Sequence, residues 1–187
     1  RYAGDTRFDT AIAIADGGLA NPTTLLLTNG LDFPDALPAG AAAGAIGGAV
    51  LLTSGTTVPA PLQTYLDAHP AVTLFAIGGP AAAAVPAATP VAGATRYETS
   101  VAVAEQFYAA PLVVGVVSGT NYPDALTGGA DVAFAGFPLL LTPGAALEPS
   151  VQAYLESTHD AIDIAVIYGG FAAVSEFAGL QVYAAIS

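Results

Sequence analysis

The sequence predicts an α/β fold of two small doubly wound modules that follow one another along the chain, each a parallel sheet flanked by helices. Three observations predict it. The chain of 187 residues repeats itself over nearly its whole length. Each copy alternates helical and strand patterns. The strand segments are short, continuous apolar runs, which are typical of parallel strands covered by helices on both faces.

The internal repeat is defined by motifs that recur at a nearly constant spacing. Three motifs of the first copy recur in the second: Gly4–Ala15 as Gly93–Ala104, Asp32–Leu37 as Asn121–Leu126, and Gly78–Gly79 as Gly169–Gly170. The first two recur 89 positions later and the third 91 positions later, so the second copy has gained two residues before its glycine pair. The chain is therefore predicted to divide near Pro90, into modules 1–90 and 91–187.

The elements of each copy follow from local periodicity. The first copy predicts a helix at 7–16, a strand at Thr23–Thr28, a helix at 34–46, a strand at Val50–Thr53, a helix at 59–68 and a strand at Val72–Ile77. The corresponding strands of the second copy are Leu112–Val117, Leu139–Thr142 and Ile162–Ile167. Right-handed crossovers between such parallel strands produce a small doubly wound sheet in each copy.

Polar residues recur at the spacing of helix N-terminal caps. Thr6 and Asp9 have the capping-box spacing, and Thr95 and Glu98 repeat it. A second set of N-caps is predicted at Asp32 and Asn121, each shortly before a proline. Capping accounts for these residues without a substrate.

Composition excludes several classes of function. The chain has 3 Lys and Arg against 15 Asp and Glu, a net charge of −12, so it lacks the basic surface that nucleic acids or anionic membranes require. Pro and Gly interrupt the uncharged stretch Ala36–Leu66, which predicts a buried helix and strand rather than a membrane span. With no Cys and no His-rich spacing, we expect no catalytic residues, no metal site and no cofactor.

Polar residues collect where the predicted strands end, at the sheet edge where α/β folds bind ligands. Asp35 and Asp124 lie at the start of the following helix, after turns that begin at Asn29 and Ser118. Two of the three cations, Arg7 and Arg96, occupy equivalent first turns, where a cation opposes the helix dipole. They are expected either to pair with Asp35 or Asp124, or to contact an anionic or hydroxylated polymer.

Four motifs together resemble the cell-wall-binding repeat 2 family: Gly-x-Thr-Arg-(Phe/Tyr)-(Asp/Glu)-Thr, (Phe/Tyr)-Pro-Asp-Ala-Leu, Leu-Leu-Thr and Ile-Gly-Gly. The resemblance covers nearly the whole chain twice. It implies a secreted, noncatalytic module at the surface of a Gram-positive bacterium that binds an anionic wall glycopolymer and anchors surface-layer proteins, amidases or adhesins. It also implies arrays of three modules about a pseudo-threefold axis, so we expect a third module or a homo-oligomer.

The family's polymer-binding Pro-Ile-Leu-Leu motif corresponds to Pro138–Leu141 in the second copy and to Ala49–Leu52 in the first. These residues have the pattern of a buried strand, so the predicted contacts are Thr53 and Thr142 at its carboxyl end. Two alternatives remain open. One is a protein–protein adhesion or oligomerisation module with exposed apolar helix faces. The other is a small α/β hydrolase, for which no nucleophile and base recur in both copies.

Overall fold

The computed structural model describes residues 1–187 and contains two parallel sheets flanked by helices, as the sequence predicts. The helices are α1 Arg7–Ala13, α2 Ala36–Ile46, α3 Ala60–Ala68, α4 Gly79–Ala84, α5 Arg96–Phe107, α6 Pro123–Ala135, α7 Pro149–Thr158 and α8 Glu176–Ala185. The strands are β1 Thr24–Asn29, β2 Ala49–Thr53, β3 Thr73–Ile77, β4 Thr89–Val91, β5 Val113–Ser118, β6 Leu139–Thr142 and β7 Ile164–Tyr168. None of the helices is long and apolar enough to cross a membrane.

The two sheets share one strand order and one register. The first is ordered β2-β1-β3-β4 and the second β6-β5-β7. Leu26 pairs with Val50 in the first sheet, and Gly115 pairs with Leu139 in the second, 89 positions later on both strands. A 3₁₀ turn at His159–Ala161, after α7, lies where the second copy is longer. The inserted residues therefore leave the strand pairing unchanged.

Two regions depart from the predicted elements. The first helix was expected over 7–16, but α1 ends at Ala13 and Ile14–Gly18 continue as a π-helical turn. Helix α4 and strand β4 were not predicted, because they are too short to show a clear hydrophobic period. Strand β4 pairs in parallel with β3, so Pro90 lies within the first sheet. The division of the chain at that residue stays a prediction.

The capping boxes at the first helix of each module are confirmed. Thr95 Oγ1 accepts a hydrogen bond from the Glu98 amide at 3.2 Å, and the Glu98 carboxylate accepts one from the Thr95 amide at 3.3 Å. Thr6 and Asp9 form the same reciprocal pair. Each capping residue contributes about 1 kcal/mol to helix stability.

The N-caps predicted at Asp32 and Asn121 are wrong. Helix α2 begins after Asp35, and α6 begins at Pro123 after Tyr122. The Asp32 Oδ1 atom accepts from the amide of Phe33, and Asn121 Oδ1 accepts from that of Tyr122. These side chains therefore close the turn before the helix, and the sequence spacing alone did not separate the two roles.

Each sheet buries one face inside its own module and the other face at the junction between the modules. At the junction, Val103 of α5 packs with Leu26 of the first sheet, while Leu37 of α2 packs with Val117 and Leu141 of the second. A Cβ added to Gly44 would lie 2.6 Å from the Cβ of Ala133, so α2 and α6 approach closely on small residues. This packing brings the start of α5 beside the carboxyl edge of the first sheet.

Candidate functional site

The strand order places a crevice at the carboxyl edge between β1 and β3, because the chain leaves β1 towards β2 and leaves β3 in the opposite direction, towards β4. Open α/β sheets bind ligands at such a point. A cleft of about 230 Å³ opens there. Asn29, Asp32 and Asp35 of the first module line one side of it, and Thr95 and Arg96 of the second module line the other. The cleft is therefore built by both modules.

Asp35 sits against the backbone of the glycine pair that follows β3. A Cβ on Gly78, whose φ is 86°, would lie 2.0 Å from Asp35 Oδ2. Asp124 has the same relation to Gly169, at 2.6 Å with φ 111°. The Pro-Asp-Ala-Leu and Gly-Gly motifs thus form one structural unit. The aspartate carboxylate of the first motif occupies the space that a side chain at the first glycine of the second motif would need.

The charge of Asp35 is destabilised by its surroundings. Burial raises the pKa of Asp35 above its ordinary value of 3.8, and the nearby Asp32 raises it further. The charge of Arg96 and the hydroxyl of Thr99 lower the pKa in part. Both residues belong to the second module. The second module therefore reduces the free-energy cost of burying the ionised Asp35 carboxylate in the cleft.

The ion pairs predicted for the two arginines are wrong. Arg7 Nη1 donates to the Gly30 carbonyl at 2.7 Å, and Arg96 Nη1 donates to the Gly119 carbonyl at 2.8 Å. Neither arginine has a carboxylate within 4.0 Å, and the contact of that kind in the structure lies between His159 Nε2 and Asp160 Oδ1, at 3.3 Å. The carbonyl at the end of the neighbouring strand is nearer to the first turn of each helix than Asp35 or Asp124, both of which lie over glycines.

Asn29 and Ser118 hold their loops in place. Asn29 Oδ1 accepts hydrogen bonds from the amides of Leu31 and Gly55, at 3.0 and 3.1 Å. Ser118 is nearly buried, and its hydroxyl bonds that of Thr120 at 2.8 Å. The Asn29 side chain still lines the cleft, and its amide nitrogen has no hydrogen-bond partner in the protein. The Ser118 hydroxyl, in contrast, makes its hydrogen bonds within its own turn, to Thr120.

Thr53 and Thr142 cannot be the surface contacts that the sequence predicted. Both are fully buried. Thr53 Oγ1 donates to the Gly55 carbonyl at 3.0 Å, and Thr142 Oγ1 donates to the Ala146 carbonyl at 3.0 Å. Each threonine therefore closes the loop after its strand, because a buried hydroxyl takes the nearest free carbonyl.

Two aromatic residues at the junction, both within the repeated (Phe/Tyr)-Pro-Asp-Ala-Leu motif, were not predicted as site residues. Phe33 and Tyr122 occupy equivalent positions in the two modules, and their rings meet edge to face with centroids 5.5 Å apart. They line a groove of about 640 Å³ together with Arg7, Leu31 and Leu126. An aromatic residue in a repeated loop motif was the available signal. Phe33 packs partly against the junction core, whereas Tyr122 is 50% exposed.

The equivalent edge of the second module is open. A cleft of about 540 Å³ there is lined by Asn121 and Asp124, as in the first module. Phe171, which corresponds to Pro80 of the first cleft, and Ser175 line it as well. No lysine or arginine lines the second cleft.

The remaining titratable residues form no cluster at these edges. His69 and His159 lie at the ends of α3 and α7, where each Nδ1 bonds a backbone carbonyl of the last helical turn. No group of three or more His, Cys, Asp or Glu is placed to hold a metal ion.

The fold and these edges define a tandem of parallel α/β modules with a shared cleft. The chain matches the model of the cell wall binding domain 2 family over residues 1–85 and 91–178, and it belongs to this family. It is therefore a cell-wall-binding protein module, with two repeats in tandem.

Relatives of known sequence are much longer than the chain. It is 28% identical over 151 residues to the amidase enhancer of Bacillus subtilis (strain 168), a match that covers 76% of the chain and 21% of the enhancer. It is 25% identical over 163 residues to the N-acetylmuramoyl-L-alanine amidase LytC of the same strain, covering 84% of the chain and 33% of the amidase.

Solved structures show the same fold. Cwp6 from Clostridium difficile superposes with a TM-score of 0.85 at 22% identity, over 98% of the chain and 31% of Cwp6. Cwp8 from the same organism gives 0.83 at 22% identity, over 100% of the chain and 33% of Cwp8. The chain spans a third or less of each of these relatives.

Proposed function

We propose that the chain anchors a protein noncovalently to the outside of a Gram-positive bacterium by binding an anionic glycopolymer of the wall, and that it has no catalytic activity of its own. The observation that carries the proposal is the placement of cations. In a chain of net charge −12, two of three cations lie in equivalent first turns at the carboxyl edges, each held by a loop carbonyl.

This arrangement lets an acidic chain present local positive charge. Each arginine uses Nη1 on a glycine carbonyl, which fixes the guanidinium and leaves its other donors for a ligand. Guanidinium donors match phosphate and carboxylate oxygens in pairs. The two Bacillus relatives are named an amidase enhancer and an amidase, and most of their length lies outside the match, which supports an attachment role for the matched part.

Binding to purified wall tests the proposal. We expect the purified chain to cosediment with protein-free wall of a Gram-positive bacterium, and to lose that binding when dilute acid has stripped the wall of its glycopolymers. Added salt should weaken the binding, because exposed charges are screened within about 10 Å at 0.1 M ionic strength. Equal cosedimentation with stripped and intact wall would contradict the glycopolymer as ligand.

A second candidate function, assembly with a further repeat, is favoured by an apolar face on the second module. In the first module, β3 is paired by β4, and Phe75 on β3 packs edge to face on Phe107 of α5 at 5.0 Å. Strand β7, the equivalent of β3, has no such neighbour. Exposed apolar side chains lie on both sides of the free β7 edge, with Ile164 on the α6 side. On the α8 side they are Ile167, Phe171, Phe177, Leu180 and Tyr183, called here the β7/α8 face, and all six are 37–79% exposed.

We propose that another repeat of the same kind covers the free edge of β7 and the apolar side chains around it, since β4 and α5 cover the equivalent edge of β3 in the first module. The chain alone should then self-associate weakly as its concentration rises, because exposed apolar patches of this kind mark interfaces. Sedimentation velocity over a hundredfold range of concentration measures this. Leu180→Asp should reduce the association, and a strict monomer at every concentration would contradict the proposal.

A further inference from the structure

Two cavities adjoin the loop after β1, and each is bordered by one arginine. Asn29 and Asp32 line the apolar cavity that contains Arg7, and the same two residues line the cleft that contains Arg96. The two cavities therefore adjoin the same loop, and the larger one, of about 640 Å³, has side chains of both modules in its walls.

The floor of the larger cavity is aromatic and apolar. The Phe33 ring has Tyr122 against it at 5.5 Å and the Arg96 guanidinium at 5.8 Å from its centroid, so its orientation is fixed. Tyr122, Leu31 and Leu126 are 50–62% exposed on the walls. Exposed apolar side chains beside a few polar groups are typical of ligand sites, and the C–H face of a sugar ring packs well on such a surface.

The polar side chains at this floor are Arg7, Asn29 and Asp32. Asp32 is an exposed carboxylate whose Oδ1 accepts a hydrogen bond from the Phe33 amide, and the other two side chains offer donors. Arg7 spends Nη1 on the Gly30 carbonyl, and its other guanidinium nitrogens have no partner in the protein. The Asn29 side chain accepts two backbone hydrogen bonds through Oδ1, and its amide nitrogen donates none within the protein. Free donors and a positive charge beside an apolar floor fit a sugar that carries an acidic substituent.

We infer that this groove, named here the Phe33–Tyr122 groove, binds a short segment of acidic glycan. A sugar ring stacks on Tyr122 and Leu31, and Arg7 holds the acidic substituent. The inference rests on the proposed function, because the glycan is a segment of the wall glycopolymer. It adds Tyr122, Phe33 and Leu31 to the binding surface, and it assigns the ligand to the junction of the two repeats rather than to either repeat alone.

Two pairs of matched variants test the inference. Tyr122→Ala removes the stacking ring at the start of α6, and Phe134→Ala removes a 95% exposed ring near the end of the same helix. Leu31→Asp puts a negative charge in the groove, and Leu112→Asp makes the same change at a residue of equal exposure beside the opposite, amino-terminal sheet edge. The readouts are cosedimentation with purified wall and titration calorimetry with the soluble glycopolymer that dilute acid releases from it.

We expect Tyr122→Ala and Leu31→Asp each to weaken binding tenfold or more, which is about the loss typical of an aromatic residue at the centre of a binding surface. Phe134→Ala and Leu112→Asp should bind as the unchanged chain does. Circular dichroism and thermal unfolding establish that each variant is folded. Leu31 is exposed, so its variant keeps the test valid if Tyr122→Ala loosens the junction.

The outcomes separate this inference from the proposed function. If the unchanged chain fails to bind wall, the proposed function fails and the groove fails with it. If the unchanged chain binds and both groove variants match their controls, the groove is overturned and wall binding stands. If Leu31→Asp weakens binding while folded Tyr122→Ala does not, charge alone attracts the polymer, and the stacking role is overturned.

Discussion

Gly78→Ala is expected to destabilise the chain by about 2–4 kcal/mol, with about 1–2 from backbone strain and the rest from overpacking. The φ of Gly78 is 86°, a conformation that an alanine adopts only with strain. Its new Cβ would also lie 2.0 Å from Asp35 Oδ2 and 3.1 Å from Asp35 Cβ. The carboxylate would have to leave its place, and the start of α2 would shift with it.

Gly79→Ala is the matched control. Gly79 is the first residue of α4, its φ is not positive, and a Cβ there would meet nothing within 4 Å. Alanine at a helical position is preferred to glycine by about 0.5–1 kcal/mol, so this variant should be neutral or slightly more stable. Urea unfolding of both variants measures the difference, and equal midpoints would show that Asp35 does not depend on Gly78.

The repeat made most of the fold predictable. Short apolar runs such as Leu139–Thr142 are typical of a parallel sheet covered on both faces. The 89-residue spacing then showed which strands of the two copies correspond. Strand β4 escaped because Thr89–Val91 is three residues long and contains a proline, so it carries no period. It forms a strand because it pairs with the edge of β3, and this tertiary contact is not encoded in the local sequence pattern.

The candidate site was predicted in position and only partly in detail. Sequence spacing placed Arg7 and Asp35 at one edge, but it could not show that Asp35 would lie over Gly78, nor that Arg7 would take a carbonyl instead of a carboxylate. Thr53 was misassigned because the end of a strand and the surface of a cleft look alike in sequence. The contact of Phe33 with Tyr122 joins residues 89 positions apart, and local patterns carry no such information.

Arg96→Ala is expected to destabilise the chain more than Arg7→Ala does. Both variants remove a hydrogen bond to a glycine carbonyl, at 2.8 and 2.7 Å. Arg7 is exposed, so its loss should cost about 0.5–1.5 kcal/mol. Arg96 is half-buried and also lies over the Phe33 ring, which raises the expected loss to about 1.5–3 kcal/mol. The stability of Arg96→Lys should lie between those of the unchanged chain and Arg96→Ala, because an ammonium group lacks the planar contact with the Phe33 ring.

The two arginine variants should also differ in their dependence on pH. Arg96 lowers the pKa of Asp35, which burial holds above 3.8, so Arg96→Ala lets that pKa rise further. Below pH 3.8, Asp35 is mostly protonated in the folded and unfolded chain alike, and its charge adds nothing to the difference. As the pH rises through the folded pKa, Asp35 ionises in the folded chain, and its charge costs more free energy in Arg96→Ala, where no arginine offsets it. The difference in stability between Arg96→Ala and Arg7→Ala should therefore grow towards neutral pH.

Asp35→Asn identifies the group responsible. The asparagine keeps the shape of the side chain over Gly78 and carries no charge. The Asp35→Asn variant should therefore be more stable than the unchanged chain at neutral pH, and this advantage should disappear at pH 3. Combined with Arg96→Ala, it should abolish the part of the arginine effect that depends on pH and leave the loss of the Gly119 hydrogen bond and the Phe33 contact. Urea unfolding of the single and double variants between pH 3 and pH 7 measures both terms. An arginine effect that is the same at both ends of this range would show that Arg96 stabilises the junction through these contacts alone and leaves Asp35 unaffected.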